Sequence, residues 1–172
     1  PYVSPRPVNR LEPKSTVLFF MGVINYRKGM HILPQLLDLM GKRECRWKIR
    51  VVGQILDTKT RMLMKKLVVS HPDRLEFIEG FIPEQSKTYD YLFHGIICCI
   101  FPSLEEGQQD LLTKCVSEGV LALYSSEVGF DLYLEETSIS KWKAETWFDY
   151  IQNIFDSSDS KIYSLWKQQY YY

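Results

Sequence analysis

Three short apolar runs end in a glycine or proline, TVLFFMG at Gly22, WKIRVVG at Gly53 and GIICCIFP at Pro102, and between the last two LEFIEGF, Leu75 to Phe81, alternates as a strand does. A fifth run, LALYS, follows at Leu121 to Ser125. Between them the period changes to that of a helix, with Leu33, Leu36, Leu37 and Met40 in the first interval. In the second interval Met62, Leu63, Leu67 and Val68 fit an amphipathic helix. A short helix over Glu84 to His94 and another from about Gln108 to Glu118 complete the alternation. Continuous apolar strands separated by helices are what a parallel sheet covered on both faces requires. The expected fold is therefore α/β, a Rossmann-like parallel sheet with helices on both faces and right-handed crossovers. The most apolar run, Gly95 to Pro102, belongs at the centre of that sheet.

The flanks differ. Residues 1–15 hold four prolines and no hydrophobic period, and read as a linker or lead-in. Residues 16–135 form the expected Rossmann-like domain. Beyond Phe130 the pattern turns helical, with Trp147, Phe148, Ile151, Ile154 and Phe155 on one face and Leu165, Trp166 and Tyr170 on a last helix. Residues 136–172 are thus read as C-terminal helices packed on the same domain. Trp142, Trp147, Trp166 and the terminal tyrosines either complete the local core or cover a face left for a partner. A chain of 172 residues that is 45% hydrophobic can bury one core. It starts at Pro1 rather than Met, which suggests a piece of something longer.

Charge and cysteine usage narrow the function. Twenty-one basic residues balance twenty-one acidic ones, so nothing favours nucleic acid as a partner. Cys45, Cys98, Cys99 and Cys115 form no CxxC pair and have no histidine at metal-ligand spacing, so no metal site is expected. Buried reduced thiols in a cytosolic protein are the expectation. No apolar run approaches the ~20 residues of a membrane span.

In an open parallel sheet, ligands bind beyond the carboxyl ends of the strands. The loop after the first run reads GVINYRKG, Gly22 to Gly29, with Lys28 just ahead of a helix, where it could meet a phosphate. A plain strand-to-helix turn with solvated Arg27 and Lys28 is the alternative; it is not a P-loop. The loop after the fourth run reads FPSLEEGQQDLLTKCVSEG, Phe101 to Gly119. Gly107 would free the N–H groups of Gln108, Gln109 and Asp110 toward an anion at a helix start. Glu106 could then bind a sugar hydroxyl or stabilise positive charge at an anomeric carbon. Taken alone, Glu105 and Glu106 are acids of the kind favoured near a helix start.

The order GxxxxxKG, RLEFIEGF, PSxxEG and SEVG resembles the C-terminal domain of GT-B class glycosyltransferases, best the large retaining group 1 family that uses nucleotide-sugar donors. The likeness covers roughly Thr16 to Phe130. The EGQ form at Glu106 to Gln108 is similar to a subgroup seen in bacterial cell-surface polysaccharide pathways. The resemblance implies a catalytic role for Glu106, facing the donor sugar. It implies a donor diphosphate held by Gly22, Lys28, Gly107, Gln108 and Gln109, and a nucleotide held at Gly53, Phe81, Ile82 and Lys114. Two positions depart from the pattern. Val23 stands where the family has an arginine on the diphosphate. Lys114 replaces the second acid, which grips the ribose hydroxyls, and an ammonium has no acceptor with which to copy that grip.

The resemblance further implies hexosyl transfer from a UDP- or GDP-linked sugar, with protein cations in place of a metal and no cofactor. The acceptor would sit mainly on an N-terminal domain of the same parent chain, leaving this part alone inactive. The implied location is cytoplasmic, with a peripheral position at the inner face of the membrane as a further option. A catalytically degenerate module with a binding or assembly role is the alternative that Val23 and Lys114 suggest. A receiver domain would need acids where Met21 and Gly22 stand, and a flavodoxin a hydroxyl-rich phosphate loop.

Overall fold

The computed structural model describes residues 16–19, 22–83, 86–104, 110–128, 137–139 and 143–170. Its strands are β1 (Thr16–Phe19), β2 (Lys48–Gly53), β3 (Leu75–Glu79), β4 (Ile96–Phe101), β5 (Leu121–Ser125) and β6 (Ser138–Ile139). They form one sheet in the order β3-β2-β1-β4-β5-β6, and every pairing is parallel. The expected parallel Rossmann-like sheet is the fold observed. The run at Gly95 to Pro102 supplies β4, which pairs with β1 in the middle of the sheet and is buried at all its positions. By contrast β3 lies at one edge, where only Leu75 is fully buried.

The helices are α1 (Leu33–Lys42), α2 (Thr58–Ser70), α3 (Lys87–Leu92), α4 (Asp110–Ser117), α5 (Ala144–Phe155) and α6 (Asp159–Tyr170). With right-handed crossovers, this strand order sends α1 and α2 to one face and α3 and α4 to the other. The packing agrees: α1 lies against α5, and α4 against α6. Side-chain caps set two of the starts. Asp57 accepts the Thr60 N–H at 2.8 Å ahead of α2, and Ser86 accepts the Tyr89 N–H at 3.1 Å ahead of α3. The bonds from Thr60 hold the Asp57 carboxyl below the usual carboxylate range.

Two details differ from the expectation, and a third resolves an open alternative. The stretch beyond Phe130, read as helical, contributes the short strand β6 beside β5 before its helices begin. In α2 the inward face is Met64 and Leu67, with Leu63 and Val68 half-buried, while Met62 points to solvent. The third concerns the C-terminal aromatics, left open between core and uncovered face. Trp147 and Trp166 are buried and complete the core. Trp47 packs on Phe148 and donates to Gln152 at 3.0 Å, which ties the start of β2 to α5. Trp166 donates to the Val116 carbonyl at 2.8 Å, tying α6 to α4. Trp142, Tyr171 and Tyr172 lie outside the described residues.

Two separate polar clusters are also buried in this domain. Arg50, in the apolar run of β2, is buried and faces the side of the sheet opposite Ile49 and Val51. Its guanidinium donates to Glu76 at 2.8 Å and to the carbonyls of Tyr91, Leu92 and His94 at 2.9, 3.0 and 3.3 Å. It thereby satisfies the orphan carbonyls at the end of α3 and meets the negative end of that helix. Toward the other edge of the sheet, the amide of Gln169 takes the N–H of Ala122 at 2.9 Å and donates to the Ala122 carbonyl at 2.7 Å.

Cys98 and Cys99 point to opposite faces of β4, and both are buried. Burial pushes the Cys98 thiol up to about 12. It raises Cys99 as well, aided by a hydrogen bond with Cys115 of α4. These folded-state values exceed those of the unfolded chain, so the thiols contribute stability that is complete at neutral pH and erodes once the unfolded thiols ionise. Unfolding free energy should therefore fall from about pH 9 toward 12, by ~1.4 kcal/mol per pH unit for each buried thiol. Urea titrations of wild type and Cys98→Ala across that range check it: the variant's alkaline slope should be shallower.

Candidate functional site

Glycines at the carboxyl ends of the first three strands build the floor of a cleft. Beyond β1, Gly22 extends the parallel pairing. Its carbonyl accepts the Gln54 N–H at 2.8 Å, and Ile24 donates to the Gln54 carbonyl at 2.8 Å. Gly53 sits directly beneath with φ 149, and a Cβ there would lie 2.2 Å from the Gly22 carbonyl oxygen. Only glycine allows the two strand ends to approach so closely. The step is repeated once more, since Gly80 donates to the Gly53 carbonyl at 3.0 Å.

Above this floor opens a cleft of about 200 Å³. Gly22 and Val23 line it from β1, Val52 and Gln54 from β2, and Gly80, Phe81 and Ile82 from β3. Tyr89 of α3 and Leu111 and Lys114 of α4 close the remaining side. Lys114 follows Leu111 by three residues and so shares its helix face. Its ammonium stands 5.4 Å from the centre of the Tyr89 ring, a cation–π distance, and the Tyr89 hydroxyl donates to Glu118 at 3.4 Å. Phe81 is 77% exposed at the rim, a flat apolar surface free to stack on a planar ligand.

Of the residues expected to hold a nucleotide, Phe81, Ile82 and Lys114 come together here from two different segments, and Gly22 joins them from a third. Gly53 does not line the cleft; it supports Gly22 from below. Lys28 does not line it either. It ends a turn of 3₁₀ helix, Tyr26–Lys28, capped by Asn25, whose side chain accepts the Lys28 N–H at 3.0 Å. That turn is fixed against the segment after β4. Leu104 donates to the Arg27 carbonyl at 2.7 Å, and a Cβ on Gly29 (φ 90) would fall 2.4 Å from the Pro102 carbonyl oxygen. The two loops singled out in the sequence are therefore neighbours. Gly22 also lies next to the first turn of α4, where a Cβ would meet Leu111 at 3.5 Å. Glu106, Gly107, Gln108 and Gln109 lie outside the described residues.

Sequence reasoning missed Val52, Gln54, Tyr89 and Leu111 as lining residues. Gln54 carried a usable signal, because it directly follows a strand-ending glycine. Leu111 could have been placed by helical spacing from Lys114. Tyr89 is set by the tertiary packing of a six-residue helix and left no such trace. Among the described residues no cluster of histidine, cysteine and acidic side chains is arranged to hold a metal ion, and no helix is long and apolar enough to cross a membrane.

No family model matches the chain, and no curated protein matches it. Solved structures do. The C-terminal domain of a glycosyl transferase group 1 family protein, LpcC of Francisella tularensis, superposes with a TM-score of 0.73 at 17% identity, covering 92% of this chain and 83% of that one. An E. coli trehalose-6-phosphate protein bound with UDP-2-fluoro glucose gives 0.73 at 9% identity, covering 91% of this chain and 40% of that one. The catalytic domain of starch synthase IV from Arabidopsis thaliana, bound to ADP and acarbose, gives 0.71 at 9% identity, covering 96% and 36%. The chain thus spans well under half the length of the last two. The fold is that of the C-terminal domain of GT-B class glycosyltransferases.

Proposed function

We propose that this chain is the donor half of a retaining glycosyltransferase and that its cleft receives the nucleotide of a UDP- or GDP-linked sugar. The observation that carries the proposal is the convergence of Gly22, Phe81, Ile82 and Lys114 on one cleft at the carboxyl ends of β1 to β3. That is where an open parallel sheet offers backbone groups to a ligand. Two proteins of the same fold hold a UDP sugar and ADP, which supports the choice of ligand. In this reading Phe81 stacks on the base while the backbone at Gly80 to Ile82 reads its edge. The diphosphate lies toward Gly22 and the start of α4, with Lys28 supplying charge from the adjoining turn. Glu106 orients the sugar, and an acceptor hydroxyl held mainly by an N-terminal domain of the parent chain attacks the anomeric carbon. The place of action is cytoplasmic, and the products feed polysaccharide assembly.

One observation favours a second reading. Val23 and Lys114 both line the cleft, at the two positions where the resemblance expects an arginine and a carboxylate. A module that keeps the fold and binds without turnover would tolerate both.

An NMR titration with UDP, GDP and ADP tests the cleft. Amide shifts are expected at Gly22, Gln54, Phe81 and Lys114 for at least one of them. Silence at millimolar ligand would remove the donor reading and leave the module. Restoring a carboxylate by Lys114→Glu should tighten the nucleotide that shifts these signals by roughly fivefold to tenfold, the worth of a charge-assisted bond to a ribose diol. Weaker binding in that variant would assign Lys114 a direct contact with the ligand.

A further inference from the structure

Helix α2 carries charge and apolar surface that its packing does not use. Its thirteen residues, TKTRMLMKKLVVS, include four cations and no acid, in a chain whose acids and bases are equal in number. Arg61 is engaged, bonded to Glu79 and, at 2.6 Å, to the Ile55 carbonyl. Lys59, Lys65 and Lys66 are exposed. Helical spacing arranges them around Met62 and Val69, which sit two turns apart on one line and are 67% and 81% exposed. Lys59 and Lys66 flank that line on one side, Lys65 on the other.

The surface continues past the start of the helix. Leu56 just before it is 75% exposed. Tyr26, 67% exposed, borders a groove of about 390 Å³ together with Lys59 and Leu63. Four of the seven large hydrophobic side chains exposed among the described residues therefore lie on or beside α2. Asp57 stands at its N-terminal end as the cap.

We propose that the outward face of α2 docks on an anionic lipid bilayer. Charge complementarity selects the occupant. Three ammonium groups would meet anionic headgroups, while Met62, Val69 and Tyr26 enter the boundary beneath them and the lysine stems lie along the apolar surface. No acid in α2 stands one turn from these lysines to neutralise them along the helix. A polyanion such as nucleic acid would engage the lysines but gain nothing from the exposed Met62 and Val69. The inference is independent of what the cleft binds.

Flotation with vesicles of phosphatidylcholine, with and without phosphatidylglycerol, tests it. The protein should float with the anionic vesicles and not with the neutral ones, and added salt should weaken the binding. Charge reversal by K59E/K65E/K66E should lower the partition roughly a hundredfold. Met62→Ser combined with Val69→Ser, which leaves every charge in place, should lower it about tenfold. All five side chains are exposed, so circular dichroism and urea midpoints should stay near wild type. Equal partition to both vesicle types, or full binding by the charge-reversed variant, would overturn the proposal. So would a serine pair that binds as tightly as wild type while an oligonucleotide competes the protein off the vesicles, which would identify a polyanion surface.

Discussion

Arg50→Ala is expected to lower the unfolding free energy by about 3–5 kcal/mol, read as a drop in the urea midpoint at unchanged slope. The reason is how many groups depend on one side chain. The Arg50 guanidinium serves the Glu76 carboxylate and the carbonyls of Tyr91, Leu92 and His94. It also stacks on the Tyr91 ring at 4.2 Å. Removing it leaves a helix end without donors, and each buried unsatisfied carbonyl costs ~1–3 kcal/mol. Glu76 softens the loss, because its side chain is 37% exposed and keeps a 3.0 Å bond from the Tyr91 hydroxyl. Arg50→Lys keeps the charge but lacks the planar fork, and should fall between alanine and wild type. A midpoint change worth less than about 1 kcal/mol would mean that water or a neighbour can replace the guanidinium. The consequence for the cleft is direct. Arg50 anchors the end of α3, and α3 carries Tyr89, the ring that faces Lys114.

Glu106→Ala, in a parent chain that includes the acceptor-binding domain, is expected to cut turnover by about 10²–10³-fold. The urea midpoint should not move. Two described residues frame the expectation. Leu104 is fixed by the Arg27 carbonyl, and Leu111 lines the cleft beside Gly22. Both of these described residues thus lie next to the proposed diphosphate position. Glu106→Gln separates the roles available to the carboxylate. A glutamine keeps one acceptor for a sugar hydroxyl but offers no charge to an anomeric centre, so its loss should approach that of alanine if charge is what counts. Wild-type rates from Glu106→Ala would take Glu106 out of the mechanism, whereas wild-type rates from Glu106→Gln alone would assign it the acceptor role.

The sheet was legible because burial on both faces forces a largely apolar run on its inner strands β1, β2, β4 and β5, and the glycines that follow three of the strands mark its carboxyl edge. What failed to show was local. Ser138–Ile139 is too short and too polar to register as a strand, and it pairs only because β5 presents an edge there. Met62 and Met64 are chemically alike, so the helix period alone did not decide which turns inward. Arg50 sits in an apolar run, and nothing in that run announces that three carbonyls 41–44 residues away will meet it. At the site, Phe81, Ile82 and Lys114 were found through ordered motifs rather than chemistry. Tyr89 belongs to no such motif and only the folded chain brings it in.

The amide of Gln169 imitates a peptide unit beside Ala122, giving and receiving the bonds that another strand would have exchanged there. The outer backbone of β5 is therefore covered, Tyr124 and Ser125 by β6 and Ala122 by a single side chain. A chain shortened ahead of Gln169 would bare a sticky margin open to recruitment by a stray β-segment or a sister molecule. The last turn of α6 thus shields main-chain groups that would otherwise be bare, besides completing the core.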